Sequence, residues 1–349
     1  MYCFAAQWMT AMVLNNNDAQ IHDETWRRLV EGRMSWEPLR ARALILEEIR
    51  RYFRENDFLE VDTPIASPFP NLDPNIYPLW IENASGDKSR FYLHTSPEPA
   101  MKKLLAAGSG DIFYLGKVFR DREGSRLHSP EFTMLEWYRL GPMEGVMRDV
   151  EKLVRRLALK ISKAETISRA GRDIPLERPW ERRELSDMFL ELLRTDMTDA
   201  KKLRAELTRL GARPGADESW EDFFFRAYIE VIEPETARLG TCFLTGFPAS
   251  LGAMAKRRTS DASISDRFEG YIDGVELVNG YQELTDPEEQ EARLSELSRR
   301  HSGGRLATDP SFIDALRQGL PECAGAALGV DRLVMLLLGK NSIADVMYT

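Results

Sequence analysis

Charged and aromatic side chains that could bind a ligand crowd together in the stretch FRDREGSRLHSPEFTMLEWYR, residues 119–139. If the second half of this stretch is a strand, Phe132, Glu136 and Tyr138 share one face, because side chains alternate across a strand. Phe132 and Tyr138 then lie roughly 20 Å apart, a length that holds a nucleotide and a small molecule end to end. The pattern predicts a two-part site along one strand.

A loop rich in arginine precedes that strand, with Arg120, Arg122 and Arg126 followed by His128. Such a loop could fold over a polyphosphate, since the guanidinium group is the bidentate partner of phosphate oxygens. A charged hairpin edge that resists strand-to-strand aggregation accounts for the pattern equally well. The residues of this stretch alone leave both interpretations open.

A second group of residues forms a predicted hairpin in the sequence RFEGYIDGVELVNGYQE. Asp273 and Gly274 are a strong signal for a two-residue turn, which predicts that Glu269 pairs with Val278 across the ladder. Glu269 and Glu276 then lie diagonally on one face of the hairpin.

Two convergent carboxylates repel each other unless a positive charge lies between them. A divalent cation that holds phosphates is the natural candidate, and it would bind Glu269 and Glu276. Glu283 is a third acid close by in the sequence. An exposed acidic hairpin explains any one of these residues singly, but it explains less well three acids interleaved with tyrosine and valine.

The third group is GAALGVDRLVM, a glycine-containing strand that runs into an apolar helix. Gly325 and Gly329 would let a ligand or another backbone approach the strand closely. Arg332 begins the helix, where it could stack on an aromatic base. A capped side chain that reaches solvent is the ordinary explanation for a lone arginine in this position.

Helices and strands must position these groups, and the order in which they are predicted along the chain indicates an α+β fold with a largely antiparallel sheet. Apolar residues at steps of three and four predict a helix from about residue 39, and FLEVDTP reads as a short strand that Pro64 ends. Residues 143–238 are expected to form a mainly helical insert within one domain of residues 36–349. Residues 1–35 show no sustained hydrophobic periodicity and are expected to be a poorly defined extension.

The chain has 349 residues, a net charge of −9 and 43% hydrophobic residues, which suits a soluble globular protein. The acidic balance argues against sequence-independent nucleic-acid binding, which needs an excess of lysine and arginine. Cys3, Cys242 and Cys323 lack metal-ligand spacing, so they predict free thiols in a reducing cytoplasm. Since no apolar run is long enough to cross a bilayer, we expect a cytoplasmic protein.

The three groups, in this order, resemble motif 2, the metal and amino-acid hairpin, and motif 3 of class II aminoacyl-tRNA synthetases. The stretches that carry the resemblance are FRDREGSRLHSPEFTMLEWY, ELVNGYQELTDPEEQ and GAALGVDRLVM. FLEVDTP resembles motif 1, the dimer-forming element, and TSPEPAMKKLLAAG resembles the amino-acid loop. The similarity is to the lysyl branch of the class, and it runs from about residue 36 onward.

The resemblance implies that ATP and Mg²⁺ are bound. Arg120 would hold the α-phosphate, Phe132 would stack on adenine, and Arg332 would cover the other adenine face and reach the terminal phosphates. Glu269 and Glu276 would bind the Mg²⁺. The remaining ATP contacts that the resemblance implies are Asp121, Arg122, His128, Ser129, Leu277 and Gly329.

The resemblance also implies an amino-acid pocket at the far end of the same strand. Ser96, Pro97 and Glu98 would line it, with Glu98 near the backbone-side amine. The distal ammonium of a lysine would be received by three further residues, Glu136, Tyr138 and Glu283.

Two positions depart from the lysyl-tRNA synthetase pattern. Ser129 stands where the family usually has asparagine, which puts a direct side-chain contact to the nucleotide there in doubt. Ala327 stands where lysyl-tRNA synthetases usually have glycine. A methyl group in a tight pocket could shift preference between α- and β-lysine by about 1–3 kcal/mol.

A lysyl-tRNA synthetase of this kind would carry an anticodon-binding domain before the core, and about 35 residues are too few for one. The pattern resembles a narrower group, free-standing paralogues that ligate lysine, preferably (R)-β-lysine, to a lysine of elongation factor P. That resemblance implies a homodimer with elongation factor P as protein substrate and without stable tRNA binding.

Two other hypotheses compete with this one. The chain could be a lysyl-tRNA synthetase-like enzyme or an adenylate-forming paralogue with another acceptor. It could also be an inactive synthetase-like regulator, but such a protein would be expected to lose motif residues such as Arg120, Glu276 or Arg332, which are all present.

Overall fold

The computed structural model of the chain describes residues 25–73, 76–82, 90–169, 171–215, 217–300 and 306–348. Most of the extension predicted at residues 1–35 lies outside these residues. Its described part contains a helix, α1 (Thr25–Val30), that the sequence pattern did not predict. Arg28 on α1 donates a hydrogen bond of 2.8 Å to the Ala344 carbonyl and forms an ion pair of 2.9 Å with Asp345. The prediction of a poorly defined segment is therefore wrong from residue 25 onward.

Helices account for much of the described chain, and none of those described is long and apolar enough to cross a membrane. A single π-helical segment, Tyr228–Ile232, lies between α7 and α8. After α1 the helices are α2 (Glu37–Glu55), α3 (Glu98–Ala106), α4 (Met143–Ser162), α5 (Leu185–Leu193), α6 (Ala200–Arg209), α7 (Trp220–Ala227), α8 (Glu233–Leu239), α9 (Pro287–Arg300), α10 (Pro310–Gly319) and α11 (Val330–Leu337).

The strands belong to one large sheet and two small ones. In chain order the strands are β1 (Leu59–Glu60), β2 (Ala66–Ser67), β3 (Trp80–Glu82), β4 (Arg90–Leu93), β5 (Ile112–Phe119), β6 (Glu131–Leu140), β7 (Thr166–Arg169), β8 (Arg172–Pro175), β9 (Glu181–Glu184), β10 (Thr241–Pro248), β11 (Arg257–Arg258), β12 (Asp261–Ile272), β13 (Val275–Gln282) and β14 (Cys323–Gly329).

The large sheet has the strand order β1-β5-β6-β14-β13-β12-β10-β9, with β11 paired to β12. Its pairs are antiparallel except β1 with β5 and β9 with β10. The predicted α+β fold with a largely antiparallel sheet is therefore confirmed. The four central strands, β6, β14, β13 and β12, are the ones that carry the three groups of residues singled out in the sequence.

The two faces of β6 have different environments. Leu135 and Trp137 are fully buried in the main hydrophobic core, where Phe53 of α2 also packs. Phe53 stacks on Phe113 of the neighbouring β5 with 4.8 Å between ring centroids. Because side chains alternate along a strand, the opposite face of β6 carries Phe132, Met134, Glu136 and Tyr138 away from this core. The core therefore fixes the orientation of the face that was predicted to bind a ligand.

The predicted hairpin forms with a different register. Asp273 and Gly274 both have positive φ, 48° and 76°, as a primed two-residue turn requires. A β-bulge then shifts the ladder by one residue, because Leu277 has no partner on β12. As a result Glu269 pairs with Asn279, and its predicted pairing with Val278 is wrong.

The segment of residues 143–238 is helical for most of its length, but it also contains β7, β8 and β9. These strands were not predicted. β9 has the sequence Glu-Arg-Arg-Glu, which lacks the apolar alternation that marks a strand, yet it pairs with β10 at the edge of the large sheet. The insert is thus joined to the sheet through backbone hydrogen bonds, which side-chain patterns do not reveal.

Candidate active site

A cavity of about 610 Å³ lies where β6, β13 and β14 meet the loop after β5. We call it the arginine cavity, after the two arginines in its wall. The strand order brings residues from all three sequence groups into it, since β14 pairs with both β6 and β13. Its lining residues are Arg120, Glu123, Leu127, His128, Ser129, Phe132, Met134, Glu276, Leu277, Asn279, Ala327, Gly329, Asp331, Arg332 and Ile343.

Arg120 and Phe132 are direct neighbours in this cavity. The guanidinium carbon of Arg120 lies 5.0 Å from the ring centroid of Phe132, within the range of a cation–π interaction. The Nε of Arg120 also donates a hydrogen bond of 3.3 Å to the Thr95 carbonyl. The cavity therefore presents a positive charge beside an aromatic face, which suits a flat ring that carries an anionic group.

Arg332 is held on the opposite side by three acceptors. Its Nε donates to the Leu127 carbonyl at 3.2 Å and its Nη1 to the Glu276 carbonyl at 2.8 Å. Its Nη2 lies 2.5 Å from Nε2 of His128. Burial and the two nearby arginines lower the pKa of His128 to about 3, so its imidazole is neutral. Nε2 therefore accepts from Arg332, and Nδ1 donates to the Ser125 hydroxyl at 2.7 Å.

Two of the predicted nucleotide contacts do not line the arginine cavity. The guanidinium of Arg122 lies over the Tyr77 ring, 4.0 Å from its centroid. Asp121 accepts a hydrogen bond of 2.9 Å from the Arg122 backbone N–H. Because Arg122 adopts a positive φ of 61°, the chain turns at this point and carries both side chains outward. Their predicted contact with the nucleotide stays a prediction.

A second cavity, of about 680 Å³, adjoins the first and shares Leu127, His128, Glu276 and Arg332 with it. We call it the acidic cavity because Glu233, Glu269 and Glu276 line it. The bulge in β13 does not separate the two predicted metal ligands, since Glu269 and Glu276 both reach this space. The rest of the wall is largely aromatic, with Phe224, Phe225, Tyr228, Phe247 and Tyr271.

Four side chains donate hydrogen bonds to Glu269. The hydroxyls of Tyr228 and Tyr271 each lie 2.7 Å from its Oε2. Its Oε1 accepts from Asn279 at 3.0 Å and from Arg267 at 2.5 Å. Since every donor is buried with it, Glu269 is a fixed anion rather than a mobile side chain.

Glu276 and Glu233 are less well compensated. Burial and the charge of Glu269 raise the pKa of Glu276 to about 7, and Arg332 opposes this shift. Burial, Glu276 and Glu269 raise the pKa of Glu233 to about 8. The sequence analysis missed Glu233, which belongs to the insert and has no motif signal of its own.

The donor set of the acidic cavity fits a divalent cation. Glu269 and Glu276 offer hard carboxylate oxygens, and their mutual repulsion is relieved by a positive charge. Within the described part of the chain, no cluster of three or more acidic, histidine or cysteine side chains could hold a metal ion unaided. The two carboxylates could therefore hold Mg²⁺ only with further ligands from outside the protein, such as phosphate oxygens or water.

A third constellation lies further along β6 and is buried. We call it the carboxylate cluster: Glu98, Glu136 and Glu283, with Lys102, Tyr138 and Tyr281. Glu136 accepts hydrogen bonds from the Ser96 hydroxyl at 2.7 Å and from the Tyr138 hydroxyl at 2.8 Å. Glu98 accepts a short hydrogen bond from the Tyr281 hydroxyl. The predicted residues Ser96, Glu98, Glu136, Tyr138 and Glu283 thus come together.

Lys102 lies between two of these carboxylates. Its Nζ is 2.7 Å from Oε1 of Glu98 and 2.5 Å from Oε2 of Glu283. The sequence analysis missed both Lys102 and Tyr281. Their spacing was a usable signal, since Lys102 is four residues after Glu98 on a helix and Tyr281 is two residues before Glu283.

Two carboxyl groups of this cluster, Glu136 and Glu283, are hard to ionise. Burial and the charge of Glu98 raise the pKa of Glu136 to about 8. Burial also raises the pKa of Glu283 to about 8, although the Lys102 ammonium opposes the shift. A cationic ligand would reverse this, because a positive charge favours the ionised carboxylates. The cluster is therefore suited to bind ammonium groups.

Gly325 makes room for the cluster. A Cβ atom at this position would lie 2.4 Å from the Tyr138 ring and 2.8 Å from Oε1 of Glu283. The sequence analysis predicted that Gly325 allows a ligand or another backbone to approach, whereas the groups that come close are the side chains of Tyr138 and Glu283.

Ala327 and Pro97 lie at the edges of the two sites. Ala327 lines the arginine cavity, and its partner across the ladder is Glu136 of the carboxylate cluster. It therefore lies at the junction between the two sites. Pro97 precedes α3 and faces a separate cavity of about 720 Å³ on the other side of Ser96, so its predicted contact with the substrate is indirect.

Comparisons with known proteins agree with this geometry. The family described as tRNA synthetases class II (D, K and N) matches residues 20–348. The elongation factor P–(R)-β-lysine ligases of Yersinia pestis (strain Pestoides F) and Yersinia pseudotuberculosis serotype O:1b (strain IP 31758) are each 39% identical over 329 residues. The match covers 89% of this chain and 96% of each relative. The chain belongs to the class II tRNA synthetase family, and it resembles the ligases of that family.

Proposed function

We propose that this chain is an ATP-dependent ligase that activates lysine, preferably (R)-β-lysine, as an adenylate and transfers it to a lysine of elongation factor P. The observation that carries the proposal is the arrangement along one face of β6. Phe132 lies in the arginine cavity at one end, and Glu136 and Tyr138 lie in the carboxylate cluster at the other. The names of the relatives supply the acceptor and the β-isomer.

In the first step the lysine carboxylate attacks the α-phosphorus of ATP, a P–O bond forms, and pyrophosphate leaves with the electrons of the broken bond. The attacking group is part of the substrate, so no protein nucleophile is required. Arg120 and Arg332 stabilise the negative charge that builds on the phosphate oxygens, since their guanidinium groups are already oriented.

The carboxylate cluster orients the substrate for this step. Glu98 receives the amine near the carboxylate, and Glu283, Glu136 and Tyr138 receive the distal ammonium. Because the cluster is buried, each ammonium–carboxylate contact is stronger than the same contact in water. The fixed ends of the substrate then place its carboxylate toward the arginine cavity.

Mg²⁺ would be held by Glu269 and Glu276 at the border of the arginine and acidic cavities, and it would supply positive charge to the phosphates. Tyr228, Tyr271 and Asn279 hold the Glu269 carboxylate in place for this purpose.

In the second step an amine of the acceptor attacks the carbonyl carbon of the adenylate, an amide bond forms, and AMP leaves. The amine loses its proton in the process, and we assign that proton to the phosphate of the departing AMP. We also propose that the enzyme acts as a homodimer without stable tRNA binding.

The test is lysine-dependent exchange of pyrophosphate into ATP, measured separately with α-lysine and (R)-β-lysine, followed by mass spectrometry of added elongation factor P. We expect exchange with both isomers, a preference for the β-isomer, and a mass gain of one lysyl group on the factor. Exchange accompanied by tRNA charging and no mass gain on the factor would overturn the proposal in favour of a lysyl-tRNA synthetase-like enzyme.

A further inference from the structure

Lys102 is a buried ammonium group inside the proposed amino-acid site. Its side chain is only 1% exposed. The Nζ lies 2.7 Å from Glu98 and 2.5 Å from Glu283, and it is 5.5 Å from the centroid of the Tyr281 ring. The Nζ also lies 3.5 Å from the Met254 sulfur. An ammonium group buried this deeply must be paired with an anion, and the two carboxylates supply that pairing.

The partners of Lys102 are the groups that the proposed function assigns to the two amines of the substrate. Glu98 is assigned to the amine near the carboxylate and Glu283 to the distal ammonium. The protein therefore carries an ammonium group of its own between the two places that the substrate's ammonium groups would reach.

The charges of the cluster can be counted. Glu98, Glu136 and Glu283 contribute three negative charges when ionised, and Lys102 contributes one positive charge, which leaves two negative charges. A diamino acid carries two ammonium groups, and its carboxylate is the group consumed in the reaction. The ionised cluster thus matches the two positive charges of such a substrate.

One carboxylate oxygen in the cluster is still available. Oε1 of Glu283 is buried, and it has no hydrogen-bond partner among the described residues. Glu283 can therefore accept an incoming ammonium at Oε1 while Oε2 stays with Lys102.

We propose that Lys102 is a positioning residue: it holds Glu98 and Glu283 in place and sets the charge of the site to that of a substrate with two ammonium groups. The proposal rests on the proposed function, because it takes a diamino acid to be the ligand. It predicts that removal of the Lys102 charge changes the pH dependence of lysine activation, and does not merely disturb the packing of the site.

Several titratable groups on the described elements surround Lys102. Most are acidic or phenolic, namely Glu98 on α3, Glu136 and Tyr138 on β6, Tyr281 on β13 and Glu283 after β13. Cys323 on β14 adds a thiol, and Arg267 on β12, which pairs with Tyr281 across the ladder, adds a cationic group that lines a cavity with Glu98. Loss of the ammonium removes the positive charge that favours ionised Glu283 and Glu136. More of the carboxylates are then protonated at neutral pH, and they must release those protons when lysine binds.

The test is the pH profile of kcat/KM for lysine in pyrophosphate exchange, compared between the natural chain and Lys102→Met. We expect the acid limb of the profile to move to higher pH by about one unit or more, with about a tenfold loss at neutral pH. The KM for ATP should change by less than about twofold, since the arginine cavity is intact. Lys103→Met is the matched control, because Lys103 pairs with Asp309 outside the cluster.

Glu98→Gln supplies the reciprocal experiment, which also serves if Lys102→Met does not fold. Glu98 raises the pKa of both Glu136 and Glu283, so its neutralisation should move the acid limb to lower pH whatever the loss in rate. An unshifted limb in Lys102→Met, or an upward shift in Glu98→Gln, would overturn the role of Lys102. Absence of lysine-dependent exchange in the natural chain would instead overturn the proposed function.

Discussion

Arg332 and His128 are in direct contact in the wall of the arginine cavity, with 2.5 Å between Nη2 and Nε2, and the histidine is the acceptor. The pair consists of one permanent cation and one neutral ring, because burial and the neighbouring arginines keep the pKa of His128 at about 3. His128 therefore orients the arginine and adds no charge of its own.

His128→Ala should reduce kcat/KM for ATP by about tenfold or more, since a hydrogen bond to a charged group contributes about 1.5–3 kcal/mol. The KM for lysine should stay unchanged, because the carboxylate cluster does not contact His128. Initial rates of pyrophosphate exchange with ATP varied would measure this. Ser125→Ala is the control: it removes the partner of Nδ1 and the acceptor of the Leu127 backbone N–H, and it should cost less because the Arg332–His128 hydrogen bond remains. An equal loss in both variants would contradict this role for His128.

Glu283→Gln should cripple lysine activation while leaving ATP binding largely intact. The amide has the shape of the carboxylate but no charge, so it can neither pair with Lys102 nor attract an ammonium. We expect about a hundredfold loss in kcat/KM for lysine, given about 1.5–3 kcal/mol for each charged hydrogen bond. Equilibrium binding of ATP provides the control measurement. Equal losses in ATP binding and lysine activation would mean that Glu283 is wrongly assigned.

Ala327→Gly should move the preference of the enzyme toward α-lysine. The methyl group lies where the arginine cavity and the carboxylate cluster meet, and its removal changes the space around the reacting end of the substrate. The ratio of kcat/KM values for the two lysine isomers should change by about tenfold, within the roughly 1–3 kcal/mol of one such group. If the ratio is unchanged, Ala327 has no part in the choice of isomer.

Gly325→Ala should impair lysine activation and lower stability together. The added methyl would overlap the Tyr138 ring, so the ring and the Glu283 carboxylate must move. Overpacking of this kind costs about 1–3 kcal/mol in the free energy of unfolding, measurable by urea denaturation. Gly215→Ala is the control, since its nearest contact would be an ordinary 3.6 Å. Normal lysine kinetics in Gly325→Ala would show that the cluster tolerates displacement of Tyr138.

The stability of the ligand-free protein should fall as pH rises from about 5 to about 8, between the unfolded-state and folded-state pKa values of these carboxyls. Glu136, Glu233 and Glu283 have pKa values raised to about 8, and Glu276 to about 7. Groups whose pKa is raised by folding stabilise the protein while protonated, and this contribution is lost as pH rises through the folded-state pKa.

Thermal unfolding across this pH range would test the expectation. Lysine with Mg²⁺ and ATP should reduce the loss of stability with rising pH, because bound cations favour the ionised carboxylates. Glu233→Gln should flatten it in the absence of ligands, since it removes one of the titrating groups. A midpoint that is independent of pH in the natural chain would contradict the raised pKa values.

The sequence predicted the central part of the site well, because strand alternation and motif order are both local properties. Period two placed Phe132, Glu136 and Tyr138 on one face, and the turn residues Asp273 and Gly274 gave the hairpin. The β-bulge at Leu277 was not predicted, because a register shift depends on contacts between strands and leaves no mark in the alternation of one strand.

Of the residues that the sequence analysis missed, Lys102 and Tyr281 lie inside the motif stretches, whereas Glu233 and Tyr228 lie in the insert. The pairing of Lys102 becomes evident only when the fold brings Glu283, which is distant in the sequence, to its ammonium group. Arg122 was predicted to help place the nucleotide, and in the structure its guanidinium lies over the Tyr77 ring.

The π-helical segment Tyr228–Ile232 has a consequence for how this protein can be altered. Its first residue, Tyr228, reaches out of the insert and donates a hydrogen bond to Glu269 on β12. A variant in which the insert is excised or replaced would leave the buried Glu269 carboxylate with one hydrogen-bond donor fewer. A change at the surface could thus alter how the proposed metal site holds the phosphates. For anyone who redesigns this enzyme, the turn at Tyr228 has to be kept with Glu269, because it supplies one of the hydrogen bonds that hold this proposed metal ligand.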